Sequence, residues 1–497
     1  MPYIVFIAFF CLGVGLRQGA LMDPDTGWHI AAGDYIRAHG LPASDPWSYT
    51  AGDAPWYNLS WLFDVVLSLV HGFGGLDAVV VAAALFYALA VAFVCWIAQK
   101  SSGSLIASLA VTALAGFVLL PGMLARPQLF TFLLILGFYW VLRFGGARML
   151  LALPVLTALW ANVHGGFLAG FVMLGMFFLE ALVGGERKRA LYLVAAGAAC
   201  LLALLLNPYG WHILEAASLT MNSALKDVLL EWRPTELTAG SPVWLLVIVF
   251  AGVSALFEKS IPLADKLLAC FWLAAGLMSA RMMQIAALMS APYLAQALAL
   301  RLGQSPVGGA IEARDRDYAA DLSKAAVRGV LACASVIFVA AAFAPPVQKA
   351  LAGGEAFVET PASHAPESAL AYADGHFPEA RLFANYGFGG YILYCCRDVR
   401  PVFVDGRADT AYPRKVLEDA IVLGFMDGRG ETDEQRAAEW KALTETYGID
   451  GFLASTRSAL LGHLMATPGW AKVYEDDDAA LFMRAELARA KTKHMAK

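Results

Sequence analysis

The chain has 497 residues, 59% of them hydrophobic and only 15% charged, with a mean hydropathy of +0.59. A soluble protein keeps about a quarter of its residues charged, so the composition excludes an ordinary soluble enzyme and calls for burial in lipid. The formal net charge of −5 supplies no basic field and excludes nucleic acid as a partner.

Apolar runs fall at 3–20, 76–98, 104–122, 127–143, 149–163, 166–184, 189–206, 242–257, 262–280, 283–300 and 327–345. Measured against the ~20 residues needed to cross a bilayer, they predict about eleven spans. The first run lacks a basic leading segment and a small-x-small cleavage pattern, so it reads as a span rather than a signal peptide. Trp61–Phe73 is apolar but short and carries Asp64, and Thr26–His39 is amphipathic. Both are expected to lie in the membrane interface.

Beyond Pro345 the runs shorten and charge rises. Arg381–Tyr394, Arg400–Asp405, Gly451–Ala454 and Ala479–Met483 read as strands, and Arg414–Leu423 and Glu431–Tyr447 as helices. The expected organisation is a polytopic all-α membrane domain over 1–345 and a small α/β domain over 346–497. Of the seven cysteines, Cys11, Cys95, Cys200, Cys270 and Cys333 lie in apolar runs and read as small core residues. The adjacent Cys395 and Cys396 suit neither a relaxed disulfide nor a zinc site.

Basic residues set the expected orientation. With the N-terminus inside, inner loops hold Lys100, Arg143, Arg148, Arg187, Lys188, Arg189, Lys259, Arg301, Arg314, Arg316 and Lys324. Outer loops hold mainly Arg17, Arg37, Arg126, Lys226, Arg233 and Arg281. An odd number of spans puts the C-terminal domain outside.

On that topology the unusual polar residues gather at the outer boundary. The first outer loop contains Asp23-Pro24-Asp25 and His29. Later spans end outward at Arg126-Pro127-Gln128, at Asn162-Val163-His164, at Asn207-Pro208-Tyr209-Gly210-Trp211-His212 and at Arg281, and another outer loop adds Glu231-Trp232-Arg233. Ionisable groups beside an apolar slab are costly and mark function. Two carboxylates one residue apart can supply a general base, or hold a divalent cation against a phosphate leaving group. Arginine forks suit phosphate oxygens.

Asp23-Pro24-Asp25, at the outer end of the first span and ahead of two interfacial helices, is similar to the first-loop motif of the GT-C superfamily of integral-membrane glycosyltransferases. The stretch from Asp23 to Thr50, with Asn58-Leu59-Ser60-Trp61, resembles a bacterial branch of that superfamily. So do "ARPQ", "WANVHGGF", "NPYGW" and a late "NYGFGGY…VFVDGRAD". The resemblance covers nearly the whole chain. It implies a GT-C helical fold with an acceptor at the outer face of a bacterial inner membrane, and the charge bias puts the N-terminus on the cytoplasmic side and the C-terminal domain on the periplasmic side. It implies transfer of a sugar from a polyprenyl-phosphate donor to a lipid, glycan or protein acceptor. Asp23 or Asp25 is then the catalytic acid–base residue, with His29, Arg126, His164, Tyr209, His212, Glu231, Arg233 and Arg281 binding substrate. A divalent cation (Mg or Mn) on Asp23 and Asp25 is left open.

Structural readings stand beside these roles. Asp25 suits a helix N-cap. His29 could face Asp25 one turn away or sit on a helix surface. Interfacial His164 and His212 need no role, Arg126 and Arg281 could snorkel to headgroups, and Glu231 could pair with Arg233. Phe388-Gly389-Gly390 reads as a strand-end turn, and Asp405-Gly406-Arg407 as a structural ion pair. The rival function is a lipid or glycan transporter or flippase, which would be expected to show charges at mid-membrane and repeat symmetry.

Overall fold

The computed structural model describes residues 1–16, 23–235, 258–304, 325–342, 365–425 and 432–495, with 309, 313 and 317. Arg17, Arg314, Arg316, Lys324 and the run at 242–257 lie outside the described residues. The chain divides into two compact units.

The first unit takes in Met1–Ala20, Phe73–Trp211 and Leu230–Phe357 and is helical. Among the described residues five helices are long and apolar enough to cross a membrane: Trp61–Ser102, Leu105–Gly122, Gly165–Val183, Arg187–Leu206 and Ala280–Gly303. Shorter apolar helices cover Pro2–Gly15, Gln128–Phe144, Ala147–Val163 and Val327–Ile337. Small residues let these helices approach closely. Ala84, Ala88, Val91 and Cys95 are fully buried at helical spacing. The ring of Phe9 lies where a Cβ on Gly116 would be, and the Tyr87 hydroxyl donates to the Gly116 carbonyl at 2.7 Å. Cys95 and Cys200 are buried as expected, but Cys11, Cys270 and Cys333 are exposed, on outward helix faces where a weakly polar thiol is tolerated.

The Trp61–Ser102 helix breaks at Gly74 and Gly75, where Gly75 adopts φ 65°, a left-handed conformation open to glycine at little cost. The break falls between the expected interfacial segment and the expected span. The twelve residues of this helix from Trp61 to Gly72 fall in the second unit.

One end of the first unit carries a charge network that the run pattern concealed. Arg143 contacts Glu180 at 2.9 Å and Asp265 at 2.6 Å. Asp265 also accepts from the Tyr139 hydroxyl and the Gln296 amide, and Glu180 accepts from the Ala264 N–H. Each carboxylate is satisfied several times over, which a charge sequestered from water requires.

The second unit takes in Leu21–Gly72, His212–Leu229 and Val358–Lys497. Its sheet has four strands in the order β1-β2-β4-β3, with β1 Leu382–Ala384, β2 Gly451–Ser455, β3 Trp470–Glu475 and β4 Ala479–Arg484. β1 and β2 are parallel; β4 is antiparallel to both of its neighbours. The expected helices appear as Arg414–Phe425 and Asp433–Thr446, the latter opened by a Thr432–Gln435 capping box.

Two expected strands are corrected. Only Leu382–Ala384 of the first is extended; Gly389–Cys396 is a helix. Arg400–Asp405 forms no strand beyond a single bridge between Val402 and Ser48. Both apolar runs are buried on every side, so their sequence carries no alternation to separate helix from strand. β3 was not anticipated, because its half-buried residues interleave with charge. Phe383, Phe403, Phe452 and Trp440 form the core of this unit, and Trp28, Trp47 and Trp56 of the first loop belong to the same core.

Candidate functional site

In the second unit the acidic pair opens the Thr26–His39 helix. Asp23 is buried, and its Oδ1 accepts the Asp25 N–H at 3.0 Å. Asp25 occupies the N-cap position, but its side chain makes no capping bond. Its carboxylate instead lies over Gly406, where a Cβ would come within 1.8 Å of Oδ1. Glycines fix this arrangement by close approach. A Cβ on Gly390 would sit 1.9 Å from the Pro24 carbonyl oxygen, and one on Gly27 would sit 2.4 Å from the Gly390 oxygen. The helix Gly389–Cys396 therefore seats its first turn directly on the peptide groups between the two aspartates. Phe388-Gly389-Gly390 is a helix start selected for contact, not a strand-end turn. Beside Asp25, Thr26 Oγ1 and Trp28 Nε1 are buried with no hydrogen-bond partner among the described residues, which is uncommon for buried polar atoms.

His29 does not turn to Asp25. Its Nδ1 meets Asp64 Oδ1 at 2.6 Å, both side chains being nearly inaccessible. Asp64 Oδ2 accepts the Asn58 amide at 2.6 Å, and Asn58 Oδ1 in turn accepts the Ser60 N–H. The Trp28 ring stacks on His29 at 3.6 Å and Phe63 meets it edge-on. The single acid of the interfacial segment thus ties that segment to the Thr26–His39 helix, a role its oddity in an apolar run hinted at but could not assign. His212 is exposed, paired with Glu215 and stacked on Tyr57.

Asp405-Gly406-Arg407 is the expected ion pair, built into a larger cluster. The Arg407 Nε and Nη2 donate to the two Asp405 oxygens at 2.8 and 2.7 Å, and Nη1 donates to Asp45. The Tyr412 hydroxyl donates to Asp405 at 2.6 Å. The guanidinium lies over Trp47 and Trp56 at 4.9 and 4.8 Å. Burial on its own raises the Asp45 pKa, but the Arg407 charge and hydrogen bonds from Arg407, Ser48 and Trp47 outweigh it and hold the carboxyl below 3.8. Burial likewise raises Tyr412, which keeps its proton.

In the first unit Glu231 does not choose Arg233. Its Oε2 takes Arg126 at 3.1 Å and its Oε1 takes Arg281 at 3.0 Å, and the Arg281 guanidinium lies 4.9 Å over the Trp232 ring. Arg233 contributes its carbonyl to the Ala280 N–H, pinning the turn that carries Glu231 beside Arg281. His164 Nδ1 accepts the Gly166 N–H at 3.1 Å and meets Thr131 Oγ1 at 2.7 Å, so it caps the turn after its helix. Tyr209 follows Asn207, whose amide donates to Ala161 and Asn162, joining the "WANVH" and "NPYGW" stretches. An apolar cavity of about 1140 Å³ is lined by residues that include Phe6, Leu85, Leu89, Phe93, Trp96 and Val336. Among the described residues no three His, Cys, Asp or Glu side chains form a metal-binding group.

No protein-family model and no curated protein sequence matches the chain. Solved structures do. The Archaeoglobus fulgidus oligosaccharyltransferase in its apo form superposes with a TM-score of 0.57 at 12% identity, over 92% of this chain and 69% of that one. The same organism's oligosaccharyltransferase AglB, in complex with an inhibitory peptide and a dolichol-phosphate, gives 0.56 at 12% identity over 90% and 69%. ArnT from Cupriavidus metallidurans, bound to undecaprenyl phosphate, gives 0.51 at 14% identity over 97% and 98%. The fold is GT-C-like. At these identities the likeness is one of fold, and it agrees with the apolar helices in making this a membrane-embedded protein.

Proposed function

We propose that the protein is a membrane glycosyltransferase that moves a sugar from a polyprenyl-phosphate donor to a lipid, glycan or protein acceptor at the outer face of a bacterial inner membrane. The observation that carries this reading is a GT-C-like fold matched along nearly the whole length of ArnT, a protein solved with undecaprenyl phosphate. The buried Asp23 and half-buried Asp25, beside two polar atoms with no hydrogen-bond partner among the described residues, support it, because such features concentrate where a ligand completes the bonding. The basic bias of the expected inner loops supports a cytoplasmic N-terminus and an outward C-terminal unit.

In the reaction, an acceptor hydroxyl or amide attacks the sugar anomeric carbon. The bond from that carbon to the phosphate oxygen breaks, and its electron pair leaves with the phosphate. Asp23 or Asp25 takes the acceptor proton. Arg126 and Arg281 meet the negative charge gathering on the phosphate. Mg²⁺ or Mn²⁺ would supply further neutralisation of that charge; the paired carboxylates offer two of the oxygen ligands it needs.

The test is transfer from a lipid-linked sugar extract by purified protein, by Asp23→Asn and by Asp25→Asn, with and without chelator. Loss of transfer in one aspartate variant at an unchanged melting temperature is expected. Full transfer by both would overturn the mechanism, and donor movement across a vesicle without transfer would favour the flippase reading.

A further inference from the structure

The Glu231 carboxylate bridges Arg126 and Arg281. Each of its carboxylate oxygens is taken by one arginine, and among the described residues that carboxylate has no other partner. Two guanidiniums converge on one carboxylate, so a stronger anion is attracted to the same pair. The group is partly accessible: the Glu231 side chain is 37% exposed, that of Arg281 28% and that of Arg126 16%. Arg143 offers the internal contrast. Its partner Asp265 is 1% exposed and bound by Tyr139 and Gln296 as well, so no ligand can replace it. The Glu231 side chain, on the three-residue turn Leu230–Trp232, is held by the charges it would yield.

We propose that Glu231 is an internal stand-in for the phosphate, displaced when polyprenyl phosphate binds Arg126 and Arg281 and returning when it leaves. This rests on the reading of those arginines as the phosphate site. A phosphomonoester carries about −1.5 to −2 at neutral pH against −1 for a carboxylate, and it fits an arginine fork with more oxygens. It therefore wins the exchange, yet it binds less tightly than it would to an empty cradle. Glu231 thereby limits retention of the lipid phosphate released by each turnover and keeps the arginines in place between turnovers.

The experiment titrates undecaprenyl phosphate into purified full-length protein in detergent, with undecaprenol as the uncharged control. Wild type is compared with Glu231→Gln, Glu231→Ala, Arg126→Gln and Arg281→Gln, and each melting temperature is recorded. Both Glu231 variants are expected to bind the phosphate at least threefold tighter, both arginine variants at least tenfold weaker, and undecaprenol equally in all. Weakened arginine variants with unchanged or weaker Glu231 variants would overturn the stand-in role and leave the phosphate site standing. Unchanged arginine variants would overturn both. Glu231→Ala guards against an amide that merely re-forms the bonds to the arginines.

Discussion

Replacing Gly390 with alanine tests whether the acidic pair is held by backbone contact. The added Cβ would stand 1.9 Å from the Pro24 carbonyl oxygen and 3.1 Å from its carbon. Ordinary contact begins near 3.4 Å, so the first turn of Gly389–Cys396 and the Asp23–Asp25 segment must separate by more than 1 Å. Neither side can yield by rotating a side chain, because the blocking atoms are backbone. Overpacking of this kind costs about 1–3 kcal/mol. For a unit of roughly 150–250 residues that corresponds to a fall in melting temperature of about 2–12 °C. A shift of ~1 Å in a catalytic group is also enough to cost ~100-fold in rate. Gly375, in the Glu367–His376 helix with nothing near its Cβ position, is the matched control. Gly375→Ala should be neutral or stabilising by up to about 1 kcal/mol. Circular dichroism melts and the transfer assay read both variants. A Gly390→Ala protein with wild-type melting and rate would refute the claim that this contact positions the aspartates.

Two further outcomes follow from the Arg407 cluster. Arg407→Met leaves Asp405 and Asp45 buried without their counter-charge and should destabilise the second unit by about 3–5 kcal/mol, read by urea titration of fluorescence; a loss under 1 kcal/mol would mean water reaches the cluster. Asp45 is held below its ordinary 3.8 in the fold, so its stabilising contribution is complete above that value and disappears as pH falls through the folded pKa. Acid melts of wild type should therefore steepen below about pH 4, and Asp45→Asn should lose that part of the slope. An identical acid profile in the variant would show that other carboxylates govern it.

Local patterns were readable without the fold. Hydropathy alone marks the five described helices that are long and apolar enough to cross a membrane, since a bilayer imposes its length on each one separately. The Thr26–His39 helix keeps its expected bounds, and the expected Glu431–Tyr447 helix appears as Asp433–Thr446; helix periodicity is set by residues within a few positions of one another. The oddity of Asp64 in an apolar run and the paired aspartates were likewise visible. What they touch was not. His29 meets Asp64 across 35 positions, Arg407 meets Asp45 across 362, and Glu231 takes arginines 105 and 50 positions away rather than the one two residues on. Charge attracts over any such separation, so spacing in the chain cannot rank the candidates; only folding brings one of them within hydrogen-bond reach. Gly389 and Gly390 make the same point for backbone. Read alone they suggest a turn, and their reason is the Pro24 carbonyl, which tertiary structure alone brings against them. The sequence by itself determined a membrane chain with an acidic first loop; the packing of distant segments decided which partner each of these charges takes.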